Sequence, residues 1–310
     1  MLHLFEHINL NICEKAVAER FYVHGLGGKV NEPTTNERQL HVNLGLSQFH
    51  LPFKYDIVQR LPVEKPQRWP GVVHLLTLEN IASLSTRLKA LGYEAAESCD
   101  HCSVIGPYGN AFEIYRAKED VSRGLGSHPS GSASLVGLSK ATYLLPSGQH
   151  SLDSVVNFYR HVMQVHVRVS ARPHRQDLRQ ATILFSIGAH EQALEFLEAS
   201  ESEAAPPPDA YDNDEGSTFH IACYISEEDH FASIFERANA LSLIFVNERF
   251  KHGPPEFGSA ATLKEALACG QFRIKDLMDP ETQKVGVVLE HEIRSPQHKC
   301  SPIRKCREEM

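Results

Sequence analysis

Three segments of the chain open on a histidine followed by a strand-like run: His7-Ile-Asn-Leu, His74-Leu-Leu-Thr and His220-Ile-Ala-Cys. A fourth opens Lys140-Ala-Thr-Tyr instead. Further along, each is answered by a closing segment with a polar residue: Gln48-Phe-His-Leu, Phe112-Glu113-Ile-Tyr, Gln192-Ala-Leu-Glu and Leu289-Glu290-His-Glu. His7 lies 41 residues before Gln48, and His74 lies 39 before Glu113. Two stretches of near-equal length therefore each carry one ligand-type residue near the start and one near the end. Imidazole nitrogens with carboxylate and amide oxygens are groups that hold metals and move protons.

The elements that must position them alternate along the chain. Leu4–Ile12, Gln39–Asn43, Ser47–Phe53, Gly71–Leu78, Cys102–Ile105 and Ala111–Arg116 read as strands. Glu14–His24 reads as a helix stopped by Gly25, and Ile81–Leu91 as a helix with Ile81, Leu84, Leu88 and Leu91 at helical spacing, stopped by Gly92. The order recurs in the second half. Leu138–Leu145, Ala181–Ile187, Gln192–Leu197, Thr218–Ile225, Phe272–Asp276 and Gly286–Ile293 read as strands, and Leu152–Met163 and Asp229–Ala240 as helices. A fourfold internal repeat outweighs any single assignment.

Composition bounds the function classes. A chain of 310 residues predicts about two domains. A hydrophobic share of 42% with 23% charged residues is ordinary globular usage and excludes a largely disordered or filamentous chain. The net charge of −8 argues against a nucleic-acid partner. No apolar run approaches 18 residues, so no membrane span is expected, and the N-terminus lacks a signal-peptide pattern. Seven cysteines, an odd number, then point to reduced thiols and a cytoplasmic location. The Gly/Ser-rich stretch 119–134 reads as a linker, 199–216 as an acidic Pro-rich loop, and 296–310 as a polar, frayed tail.

This pattern resembles the vicinal oxygen chelate (VOC) superfamily, the group of glyoxalases, bleomycin-resistance proteins and type I extradiol dioxygenases. The turn Gly106-Pro-Tyr-Gly-Asn-Ala-Phe-Glu113-Ile is similar to the one before the family's carboxylate-bearing strand. The closing Leu289-Glu-His-Glu-Ile-Arg-Ser295 is similar to tandem members. The resemblance implies an α+β fold of four βαβββ modules paired into two VOC domains, 1–118 and 135–295. Carried over by position, it implies one divalent metal ion in the N-terminal domain, on His7, Gln48, His74 and Glu113. Two imidazoles, a carboxylate and an amide oxygen suit Zn, Fe(II), Mn, Ni or Co in a site with open positions. His50 lies two residues beyond Gln48, hence on the same strand face, and competes with it as the fourth ligand or serves as a base. Gln48, His50 and Glu113 are thus the candidate catalytic residues.

The C-terminal half departs from the pattern at Lys140, since an ammonium is no ligand beside a cation. His220, Glu290 and Gln192 remain there, and loss of the metal is the expectation, with Lys140 neutralising Glu290. The implied activity is a metal-dependent lyase or isomerase of glyoxalase I type acting on a small oxygenated substrate, in a monomer or homodimer. An Fe(II) extradiol-type dioxygenase needs only His7, His74 and Glu113. A metal-free small-molecule binder, like bleomycin-resistance members, is the rival from another class. Other motifs are weaker. Cys99-Asp-His-Cys102 lacks a second cysteine pair, Gly25-Leu-Gly-Gly-Lys29 lacks P-loop spacing, and Ser217-Thr-Phe-His220 shows no nucleophile elbow.

Overall fold

The computed structural model describes residues 1–53, 66–117, 134–145, 151–187, 190–200, 219–247 and 260–301. The expected linker, apart from Ser134, and the expected acidic loop, apart from Ala199 and Ser200, lie outside the described residues, as does the tail from residue 302.

Four modules are present. The first has strands β1 (Leu2–Asn9), β2 (Lys29–Val30), β3 (Gln39–Asn43) and β4 (Gln48–Pro52), and the second β5 (Val72–Thr77), β6 (Ala95–Glu97), β7 (His101–Ile105) and β8 (Ala111–Arg116). The third has β9 (Leu135–Leu145), β10 (Val167–Arg172), β11 (Arg175–Ile187) and β12 (His190–Glu198). The fourth has β13 (His220–Ile225), β14 (Gln271–Met278) and β15 (Val285–Arg294). Among the described residues, an isolated bridge between Ile244 and Ile274 stands at its remaining strand position.

Each module places one helical segment after its first strand. The helix Ile81–Ala90 is capped by the Asn80 side chain, which accepts from the Ala82 and Ser83 amides, and it buries Ile81, Leu84 and Leu88. It stops at Gly92, whose φ of 86° suits glycine. The helix Glu228–Ala240 buries Phe231, Ile234, Phe235 and Ala238 at the same spacing. In the first and third modules the helix starts as Lys15–Ala18 and Leu152–Asn157, then widens into π-helical turns at Glu19–Gly25 and Phe158–Val162. A further short helix, Leu263–Cys269, carries a Thr262/Glu265 capping box that the sequence reading passed over.

The modules pair in an order that differs from the expectation. One sheet runs β14-β15-β13-β1-β4-β3-β2 and joins the first module to the fourth. The other runs β10-β11-β12-β9-β5-β8-β7-β6 and joins the second to the third. Strand β1 pairs antiparallel with β13, and β5 with β9. Neither sheet is confined to 1–118 or to 135–295. Within every module the first strand runs parallel to the last in one common register: His7 faces Gln48, His74 faces Glu113, Lys140 faces Ala193 and His220 faces Glu290.

The two sheets share one apolar core, in which Phe5 of β1 stacks on Phe185 of β11 with ring centroids 5.4 Å apart. Gln192 belongs to that junction. Its side-chain oxygen accepts from the Phe5 amide at 2.9 Å, and its nitrogen donates to the carbonyls of Phe5 and Leu138, each at 2.9 Å. Gln192 thus ties β1 of one sheet to β9 of the other. It is no remnant ligand, because the register gives the ligand-equivalent position to Ala193 and turns Gln192 to the opposite face.

Candidate functional site

The structure divides the expected quartet. His7 and Gln48 are neighbours in the first sheet, and His74 and Glu113 are neighbours in the second. Each pair is completed by a module of the other chain half. His7 meets His220 and Glu292, with Glu290 the register partner of His220, whereas His74 lies opposite Lys140, which is ion-paired with Glu195. Lys140 is ion-paired with Glu195 at 3.3 Å and not with Glu290, which lies in the other sheet.

In the first sheet, the Nε2 atoms of His7 and His220 stand 3.1 Å apart, and the His220 Nε2 lies 3.6 Å from Glu292 Oε2. One ligand atom from each of the three residues falls within 4.8 Å of the others, and all three residues are buried. The alternation of β1 alone would send Glu6 away from His7. A register shift between Phe5 and His7 in the β1–β13 pairing changes this. Phe5 packs into the core while the consecutive Glu6 and His7 share one polar cluster, with Glu6 Oε2 2.7 Å from His7 Nδ1. Nδ1–H then donates to the carboxylate, and the lone pair of His7 is left at Nε2, facing His220. A carboxylate that fixes the tautomer of a ligating imidazole is the usual support of a metal-bound histidine.

The closing strands bring further groups to the same place. Positions two apart on a strand share a face, so Gln48 goes with His50 and Glu290 with Glu292. His50 donates from Nε2 to Gln48 Oε1 at 3.0 Å. Its ring stacks on His7 with centroids 3.7 Å apart, and His41 of β3 stacks on its other side at 3.9 Å. His50 and His41 are both held neutral. Burial comes first and neighbouring His7 second, and the His41 imidazole is lowered to about 4.

Two arginines complete the cluster. Arg273 bridges Glu290 and Glu292, and Arg294 bridges Glu292 and Glu6, each contact to Arg294 being 2.5 Å. Burial alone would raise the Glu6 and Glu292 carboxyls. Neighbouring groups together outweigh that burial: Arg294 and the hydrogen bond with His7 hold Glu6 down at about 2, and Arg294 and Arg273, followed by His7 and His220, hold Glu292 well below the usual carboxylate range. Among the described residues, three buried carboxylates, Glu6, Glu290 and Glu292, meet two buried guanidiniums, Arg273 and Arg294, an excess of one formal negative charge beside two converging imidazole nitrogens. A bound cation would cancel it, so the donor set fits a divalent metal in kind, in charge and in spacing. Two nitrogens bound to one such ion lie about 3.0–3.4 Å apart, given bonds of about 2.1 Å.

Sequence reasoning missed Glu6, Glu292, Arg273, Arg294 and the full part played by His220. A carboxylate directly before the first histidine was the only signal for Glu6, and a bulge cannot be read from alternation. The pairing of the first module with the fourth, which brings in His220, has no local signature.

No family model and no curated protein matches the sequence. Among solved structures, glyoxalase I from Zea mays covers 95% of this chain and 92% of its own, with a TM-score of 0.54 at 11% identity. A putative dioxygenase from Bacillus subtilis subsp. subtilis str. 168 covers 96% of this chain and 86% of its own, with a TM-score of 0.53 at 13% identity. Likeness at these identities establishes the fold and leaves the chemistry to the residues.

Proposed function

We propose that this chain, which has the tandem vicinal oxygen chelate fold, is a metal-dependent enzyme acting on a small oxygenated substrate by lyase or isomerase chemistry. The carrying observation is the convergence of His7 Nε2, His220 Nε2 and Glu292 Oε2 in one buried cluster. Gln48 and Glu290, the register partners of the two histidines, are the further donors at hand. A divalent ion held there would supply Lewis acidity to two adjacent substrate oxygens. The chain's own residues do the rest. Glu6 fixes the His7 tautomer, and Arg273 and Arg294 hold the carboxylates in place. His50, whose Nε2–H is spent on Gln48 and whose protonation burial opposes, keeps a lone pair at Nδ1 that can accept a hydrogen bond from a substrate hydroxyl.

Two histidines and one carboxylate are also the facial set of Fe(II) oxygenases. The amide of Gln48 beside them favours the lyase or isomerase reading.

Elemental analysis of the purified protein tests the site. About one divalent ion per chain is expected. A His7→Ala/His220→Ala double variant should lose it, and His74→Ala/Glu113→Ala should keep it. The reverse pattern would move the metal to the second sheet. Deuterium exchange at carbon in small α-hydroxy carbonyl compounds, without oxygen uptake, is the expected activity. Fe(II)-dependent oxygen uptake with catechols would install the dioxygenase reading instead.

A further inference from the structure

Two of the three converging groups in the first sheet depend on one guanidinium. Arg294 Nε donates to Glu292 Oε1, and Arg294 Nη1 donates to Glu6 Oε2, each at 2.5 Å. The same Glu6 oxygen takes the His7 Nδ1–H at 2.7 Å. A movement of Arg294 is therefore passed to Glu292 directly and to His7 through a single shared oxygen. Arg294 has a further neighbour that the metal site does not use. Tyr224 of β13 is its parallel register partner and is fully buried. The guanidinium carbon lies over the Tyr224 ring, 5.7 Å from its centroid, and Nη1 donates to the Tyr224 hydroxyl at 3.4 Å.

The segment after β15 decides which way that hydroxyl points. The Cys300 amide can only donate, and it is directed at His298 Nδ1 at 3.3 Å, so this nitrogen carries the lone pair. The Tyr224 hydroxyl lies 3.1 Å from the same nitrogen. It therefore donates there and turns its own lone pairs toward Arg294. His298 is held in turn by the backbone: its amide donates to the Ser295 carbonyl at 3.2 Å, and its carbonyl accepts from the Ser301 amide at 2.8 Å. A buried hydroxyl that loses its acceptor must find another, and it does so by shifting Tyr224 and with it Arg294.

We propose that Tyr224 and His298 are positioning residues of the metal site. They set the orientation of Arg294 and, through it, the tautomer of His7 and the aim of Glu292. The functional consequence rests on the metal-site reading above. The segment 295–301 thereby supports the site without supplying a donor to it.

Two readouts on the full-length protein test this. The first is cobalt(II) affinity, measured by chelator competition. Tyr224→Phe keeps the ring against Arg294 and removes the hydroxyl, and it should weaken cobalt about fivefold or more. His298→Ala should do the same. His298→Asn retains an acceptor and should stay within about twofold of the parent, and Tyr224→Phe/His298→Ala should bind no more weakly than either single variant, because both residues act through one relay. The second readout is the pair of His7 ring-nitrogen NMR shifts in metal-free protein. The parent should show the Nδ1–H form, and Tyr224→Phe a mixture of both tautomers. A merely structural role for the segment would lower unfolding midpoints and move neither readout. In a parent that binds cobalt, unchanged affinity in Tyr224→Phe, no rescue by His298→Asn, or additive losses in the double variant would each overturn the proposal. Identical His7 spectra in parent and Tyr224→Phe would overturn it as well. A parent that binds no cobalt, with the His7 spectra still different, would instead fail the metal site and support the positioning role.

Discussion

At the scale of residues, the most consequential pair is Glu6 and His7. A buried imidazole offers a ligand nitrogen only if its other nitrogen holds the proton, and Glu6 Oε2 at 2.7 Å ensures this. Glu6 is itself held ionised by Arg294, so the chain of dependence runs guanidinium, carboxylate, imidazole, metal. Glu6→Gln keeps a hydrogen-bond acceptor and removes the charge. Metal affinity, measured by chelator competition, should fall about 10–100-fold, the usual cost of losing such a support. Unchanged affinity would show that His7 is no ligand. Gln48 and His74 could be singled out in the sequence because their spacing repeats, and His50 because it lies two residues beyond Gln48. Glu6 could not, because its role depends on a bulge. Glu113 was legible as a strand carboxylate, but it serves His74 and the second sheet.

At the scale of elements, the segment after β15 shows how packing overrides composition. Residues 296–310 read as a frayed polar tail, yet 296–301 are pinned. The Ser295 amide donates to the Gly270 carbonyl, and His298 is almost fully buried. Its Nδ1 accepts from the Tyr224 hydroxyl at 3.1 Å and from the Cys300 amide at 3.3 Å. Gly270, at a φ of 76°, leaves no room for a Cβ, which would fall 2.8 Å from the His298 Cα. Burial first and nearby Arg294 second lower the His298 imidazole to about 4. A histidine depressed in the folded state contributes stability that is present above its ordinary value near 6.5 and is lost as pH falls from there toward 4. By pH 5 the loss is about 2 kcal/mol. His298→Asn keeps an acceptor and cannot titrate. The stability advantage of the unsubstituted protein over that variant, from denaturant unfolding, should therefore shrink by about that amount between pH 7.5 and pH 5. A constant or growing advantage would mean that His298 is accessible to protons when folded. The signal was hidden because the tail's polar residues find their partners across the chain, on β13 and beside β14.

At the scale of the whole molecule, the four modules were visible in the sequence and their partnership was not. Each module is half of a curved sheet whose open edge is its first strand, and each first strand is apolar enough to pair with any other. The Gly/Ser-rich stretch 119–134 suggested that neighbours in sequence are partners in space. The registers His7 to Ala222 and His74 to Lys140 show instead that the first module closes on the fourth and the second on the third. The chain halves are therefore joined through both sheets and again by Gln192, which bonds to Phe5 and Leu138. A protease site inserted between residues 119 and 133 tests this. After complete cleavage the two fragments should elute together at the size of the uncut protein and should separate only in denaturant. Separation requires breaking the β1–β13 and β5–β9 ladders and exposing the apolar core between the sheets, a cost of the order of global unfolding. Residues 1–118 expressed alone should accordingly fail to fold, since two first-strand edges and their apolar faces would meet water. Fragments that part readily under native conditions, each with cooperative unfolding of its own, would restore the two consecutive domains and return His74 and Glu113 to the company of His7.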